Sequence, residues 1–129
     1  MLDHVTVVVS DLERSRTFYA AALAPLGIGP LMDFPGTCGF GRGAAPQLWL
    51  SVGPTSYQQP ADVARITPVH LALAARSRAE VDAFHRAALA AGGRDFGAPG
   101  LRPEYHPTYY GAFVLDPDGH DLEAVFHGA

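Results

Sequence analysis

Two histidines and one glutamate stand where this chain can do chemistry. His4 heads the apolar run 5–9, His70 lies within a second, 69–74, and Glu123 interrupts a third, 122–126. A divalent ion held by two imidazoles and one carboxylate keeps coordination positions free for a substrate, so the set suits catalysis better than a purely structural role. Each residue alone has an ordinary reading: a histidine on a half-buried strand is commonly a satisfied core group, and a glutamate can pair with a surface arginine. Their joint occurrence carries the metal reading, because an unpaired charge in an apolar strand costs several kcal/mol and a bound cation removes that cost.

The elements that must position these residues occur twice. Val5 to Val9 leads into Ser10, Asp11, Leu12, Glu13, and Val69 to Ala74 leads into Ser77, Arg78, Ala79, Glu80. Both end in the S-x-x-E pattern of a capping box, which predicts a helix start at Ser10 and at Ser77. The offset is 66 residues between the histidines and 67 between the serines, as a duplication with one inserted residue would leave it. Apolar stripes through Phe18, Tyr19, Ala22, Leu23 and through Val81, Phe84, Ala88, Leu89 give each helix a buried face, and Gly27 and Gly92 end them. Strands are expected over 28–34, 37–40 and 47–52 in the first half, and near 94–96, over 109–115 and over 120–127 in the second. Asp116, Pro117, Asp118, Gly119 reads as a tight turn between the last two.

Alternation along strands sorts the faces. Val5, Val7 and Val9 oppose His4, Thr6 and Val8; Val69, Leu71 and Leu73 oppose His70, Ala72 and Ala74; Leu122, Ala124 and Phe126 oppose Asp121, Glu123, Val125 and His127; Leu48 and Leu50 oppose Gln47 and Trp49. An apolar face packed by helices and an inner face carrying His4, His70 and Glu123 toward one concavity are therefore expected. Residues 53–67 form the linker, and 97–108, with three prolines, reads as a surface loop that also has the length of a lid. Within it His106 is a candidate substrate contact. Of Tyr109 and Tyr110 one must point inward. His85 beside Arg86 is expected to be solvated, His120 to complete the hairpin, and Cys38 to act as a small apolar side chain.

At 129 residues the chain is expected to be one domain (1–129) of two halves, 1–53 and 68–129, each marginal alone. The formal charge of −4, with only nine Lys plus Arg, argues against nucleic acid and favours a small-molecule partner. One cysteine excludes an intrachain disulfide. The sequence has neither a signal-peptide pattern nor a run of about 18 apolar residues, so no membrane association and a cytoplasmic location are expected.

The runs D-H-V-T-V-V-V-S-D-L-E-R-S-R-T-F-Y, P-V-H-L-A-L and D-P-D-G-H-D-L-E-A-V resemble the glyoxalase I, bleomycin-resistance and extradiol-dioxygenase superfamily, the vicinal oxygen chelate group. The resemblance spans essentially the whole chain. It implies an α+β fold of two βαβββ modules whose sheets form a cup-shaped half-barrel around a divalent metal: zinc, iron(II), manganese or nickel. His4, His70 and Glu123 fall on the ligand positions. It also implies a homodimer and a substrate chelated through neighbouring oxygens, with lyase, isomerase or ring-cleaving dioxygenase chemistry. The extra glutamate of glyoxalase I is missing from Gln47, Leu48, Trp49, Leu50, Ser51, and the basic tail of the fosfomycin thiol transferases is missing after Glu123. Extradiol dioxygenases use the same triad with further His and Tyr catalysts, which His106 with Tyr109 or Tyr110 would only loosely imitate. Three readings follow. In the first, the chain is a metal-dependent enzyme whose general base is unassigned among His106, Tyr109 and Tyr110. In the second it is a non-catalytic drug or small-molecule binder similar to bleomycin-resistance proteins, with Trp49, Tyr105, Tyr109 and Phe113 lining a groove and a mildly acidic surface suited to a cation; the substrate contacts expected overall are Trp49, Tyr105, His106 and Phe113. In the third the ion is structural.

Overall fold

A computed structural model describes residues 1–128. The β-branched run near the N-terminus forms β1 (Val5–Val8), followed by helix α1 (Leu12–Leu23), a single 3₁₀ turn (Ala24–Leu26), and strands β2 (Gly29–Phe34), β3 (Thr37–Gly41) and β4 (Leu48–Ser51). After a linker holding the one-turn helix α2 (Pro60–Val63), the order recurs: β5 (His70–Ala74), α3 (Arg78–Ala90), β6 (Arg94–Leu101), β7 (Tyr110–Leu115) and β8 (Asp121–Phe126). The two sheets are separate, with orders β1-β4-β3-β2 and β5-β8-β7-β6, and neither closes into a barrel. This is the expected α+β architecture of two βαβββ modules. Among the described residues no helix is long and apolar enough to cross a membrane.

In each sheet the first strand pairs in parallel with the last, and the other contacts are antiparallel. The first and last strands of a module thus lie side by side, which brings His70 opposite Asp121 and Ala72 opposite Glu123. The helices cover one face of each sheet, as the alternation predicts. Phe18, Tyr19, Ala22 and Leu23 of α1 and Val81, Phe84 and Ala88 of α3 are buried with Val7, Leu50, Val114, Leu122 and Ala124. Burying each such large side chain contributes about 2 kcal/mol.

Three local expectations are corrected. Helix α1 is capped by Asp11, whose side chain accepts from Arg14 N (3.1 Å), and not by Ser10. Ser10 is occupied elsewhere: its N–H and hydroxyl both donate to Asp118, at 3.1 and 2.5 Å. Ser77 does cap α3, but Glu80 reaches past it to Arg76 N (2.8 Å). Strand β6 runs on through Gly97, Ala98, Pro99 and Gly100 to Leu101, because register shifts absorb residues that cannot all pair; the loop left is 102–109.

Polar bonds join the halves reciprocally. His120, only 1% exposed, donates from Nε2 to Val8 O (2.8 Å) at the end of β1 while its Nδ1 accepts from Val69 N (3.0 Å). In return Arg42 donates to Ala74 O (2.6 Å), at the end of β5, and to Leu26 O (2.8 Å). His120 is therefore a buried tie between modules, a role beyond completing its hairpin. Beside it the buried Asp116 accepts from the Tyr19 hydroxyl (2.6 Å), from Asp118 N (2.9 Å) and from His120 N (2.8 Å). Burial and the neighbouring Asp116 push the Tyr19 hydroxyl well above its ordinary range, so it remains a donor.

Candidate functional site

The pleat of β8 turns Leu122 and Ala124 into the helix-covered core and Glu123 to the open face, where it lies between Ala72 of β5 and Phe113 of β7. Although that face is open, Glu123 is only 2% exposed. His70 faces it, with Nε2 3.1 Å from Oε2, and on its other side places Nδ1 2.9 Å from Asp121 Oδ2. The Tyr109 hydroxyl donates to Glu123 Oε1. Room for this pair comes from Gly111, where an added Cβ would sit 3.1 Å from Glu123 Oε1 and 3.2 Å from the Tyr109 ring. Burial, followed by the bond to Glu123, raises the Tyr109 hydroxyl above its ordinary value.

This arrangement has a direct electrostatic consequence. Whenever the His70 ring carries a single proton, on Nδ1 toward Asp121, its Nε2 turns a lone pair toward a buried carboxylate oxygen. Two acceptors at that separation need a proton or a cation between them. A carboxylate behind an imidazole that faces an acidic ligand is also how metal-binding histidines are oriented. Asp121 Oδ1 is buried with no hydrogen-bond partner among the described residues, a further unsatisfied acceptor at the same spot. The donor chemistry of His70 and Glu123 thus fits a divalent ion.

His4 is not part of this cluster within the chain. It is exposed, its ring bonds to Asp3 (2.5 Å), and among the described residues no group of three or more His, Cys, Asp or Glu that could hold a metal assembles in one chain.

The adjacent tyrosines part company at the start of β7. Tyr109 faces Glu123, whereas Tyr110 turns to the helix side, donates to Asp82 of α3 (2.7 Å) and lies under the Arg78 guanidinium. That removes Tyr110 from the candidate catalysts. His106 stands behind Tyr109, its ring 5.3 Å away, and its Nε2 lies 2.8 Å from His127 Nδ1. Beside His70 an open hollow of about 290 Å³ is lined by Phe96, Tyr105, Phe113 and Asp121. Trp49 is on the other sheet, stacked with Phe34 at 6.1 Å over the space left by Gly39. Of the four candidate substrate contacts, Tyr105 and Phe113 therefore share the hollow, while His106 and Trp49 lie apart from it. His85, expected in solvent, is 9% exposed and pairs with Asp95 at 3.0 Å. Its helical spacing beside Phe84 and Ala88 was the available signal. Cys38 is fully buried, as expected.

Comparison with known proteins agrees with this architecture. The family model described as Glyoxalase/Bleomycin resistance protein/Dioxygenase superfamily matches residues 1–124. A glyoxalase/bleomycin resistance protein from Albidiferax ferrireducens is 34% identical, with TM-score 0.77 and 95% of each chain covered. A glyoxalase-related enzyme from Fulvimarina pelagi is 25% identical, with TM-score 0.74, covering 98% of this chain and 87% of that one. TioX from Micromonospora, at 16% identity, shares the fold with TM-score 0.74 and 99% of each chain covered. None of the curated proteins matches the chain. With the model spanning nearly the whole sequence and the paired four-stranded sheets in place, the chain belongs to the glyoxalase/bleomycin resistance protein/dioxygenase superfamily.

Proposed function

We propose that the protein is a divalent-metal-dependent enzyme that chelates a small oxygen-rich substrate. The observation that carries this reading is the His70 Nε2 and Glu123 Oε2 pair, two potential ligand atoms 3.1 Å apart with the carboxylate almost wholly buried. His70 and Glu123 of one chain, with His4 of a second copy, would hold zinc, iron(II), manganese or nickel. Bound there, the ion supplies Lewis acidity toward two neighbouring substrate oxygens, or redox chemistry if it is iron. The chain's own groups do the rest. Asp121 orients the His70 ring, Tyr109 holds Glu123 through its hydroxyl, and Phe113 with Tyr105 shields the hollow from water. The chemistry is of the lyase, isomerase or ring-cleaving dioxygenase type. A homodimer supports the assembly, since Phe34, Phe96 and Tyr105 are 56%, 61% and 60% exposed in the single chain.

Metal analysis by plasma mass spectrometry tests this. Wild type is expected to carry near-stoichiometric metal, and Glu123→Ala and His70→Ala to carry almost none; a wild type that is metal-free and refuses reconstitution sinks the reading. Tyr109→Phe is expected to weaken metal affinity about tenfold in chelator competition. Tyr110→Phe, which removes a hydroxyl that among the described residues bonds only to Asp82, is expected to leave that affinity unchanged.

The stack of half-buried Trp49 on exposed Phe34 favours a second reading, a non-catalytic binder of a flat apolar molecule. Tight ligand binding by metal-free protein that Glu123→Ala does not alter would favour it over the enzyme.

A further inference from the structure

Arginine 102 lies on the open face of the second sheet, one side chain away from His70. Its guanidinium carbon is 5.5 Å from the centre of the Phe113 ring, and the Phe113 ring is in turn stacked with His70, 6.1 Å between centres at an interplanar angle of 22°. Guanidinium, phenyl and imidazole thus form one continuous platform that ends where His70 meets Glu123. The space for the guanidinium comes from Gly97 and Gly100, where an added Cβ would lie 3.3 and 3.1 Å from its nitrogens.

The guanidinium is anchored but not neutralised. Nη2 donates to Ala98 O at 2.7 Å, with a weak contact from Nη1 to Leu101 O at 3.5 Å, and among the described residues Arg102 takes part in no ion pair. Arg16 and Arg76, by contrast, are bound to Asp33 and Glu80. Most of the five N–H donors of Arg102 remain free, in a planar fork already held in place by backbone carbonyls, which is the geometry that recognises a carboxylate. The charge also stands out against its surroundings. Asp121 and Glu123 line the same face and the chain as a whole is acidic, so an organic anion would be repelled here unless a specific cation received it.

We propose that Arg102 binds a carboxylate of the substrate, and that the substrate class is an organic acid whose apolar body separates this carboxylate from the oxygens presented to His70 and Glu123. The body lies over Phe113, against Phe96 and Tyr105. Only the position of the second set of oxygens rests on the metal reading; the carboxylate site stands on Arg102 and Phe113 alone. A cationic group, which the net charge by itself would favour, is disfavoured beside the Arg102 guanidinium.

Isothermal titration calorimetry with 3-phenylpropanoate and its neutral primary amide tests the assignment, using the intact protein both loaded with Mn²⁺ and dialysed against EDTA. Wild type is expected to bind the acid at least about tenfold more tightly than the amide in both states. In Arg102→Gln the two affinities are expected to converge while that of the amide is unchanged. Arg102→Lys, which keeps the charge without the planar fork, is expected to retain an intermediate preference and guards against a loss of fold in the first variant. A wild type that binds neither compound or does not distinguish them, or an Arg102→Gln protein that still prefers the acid, overturns the proposal. Because the EDTA-dialysed protein is read separately, failure to take up metal would count against the metal reading and leave the carboxylate site to be judged on its own ratio.

Discussion

Mixing His4→Ala with Glu123→Ala protein and letting the subunits exchange is expected to restore metal binding at about one quarter of wild-type sites, although neither variant alone retains any. The expectation follows from where the chain leaves its three candidate ligands. His70 and Glu123 meet at 3.1 Å, whereas His4 is exposed and, among the described residues, bonded only to its neighbour Asp3. If His4 completes the set in a second copy, each site draws on two chains. A mixed dimer then contains one site with both lesions and one with none, and half the dimers in a random mixture are mixed. Metal analysis after exchange, with titration of one variant against the other, measures the recovered fraction. Recovery of none, with His4→Ala alone still fully loaded, would show that His4 is not a ligand. Recovery also demands that the dimer form without metal, which ultracentrifugation of the separate variants reports.

The largest stability loss is expected from Asp116→Ala. This carboxylate is 3% exposed and accepts three bonds, from the Tyr19 hydroxyl and from the backbone N–H groups of Asp118 and His120. Removing it strands a buried phenol, whose deprotonation is blocked by burial, together with the two amides that shape the final hairpin. The cost is about 3 kcal/mol or more, which for a chain of this size lowers Tm by about 10 °C. Asp116→Asn keeps an oxygen for the two amides and lets the Tyr19 hydroxyl turn to accept, so its cost is about 1 kcal/mol. Calorimetry on the two variants separates them. Equal, small losses would mean that water replaces the lost acceptor and that the junction is less dry than its burial implies.

The outcome at the two tyrosines shows what strand periodicity can and cannot deliver. The pleat correctly put Glu123 opposite Leu122 and Ala124, because a two-residue period needs only a known strand, and 122–126 is unmistakable. Tyr109 and Tyr110 sit where β7 begins, so an uncertainty of one residue in the start leaves open which of them faces inward; Asp82, far away in sequence, decides the matter by accepting from Tyr110. Ser10 failed as a cap for a similar reason. Its local pattern was sound, but Asp118, 108 residues on, competes for the same hydroxyl and Asp11 was free to take the cap instead. Strand β6 was cut short because glycine and proline at 97, 99 and 100 read as punctuation, when the edge position and its irregular pairing tolerate them. Arg102 escaped notice altogether, since nothing in P-G-L-R-P announces that its side chain folds back over Phe113.

The exchange of bonds between the halves, His120 to the carbonyl that ends β1 and Arg42 to the carbonyl that ends β5, has a bearing on ancestry. Each donor lies in the connection between the last two strands of its own half and serves the end of the first strand of the other, so the two contacts are alike in topology. A single-module ancestor could satisfy both only by pairing with its own copy. Gene duplication would then have joined two partners already in contact, after which the donors could diverge, to imidazole on one side and guanidinium on the other, with the acceptors held constant because they are backbone.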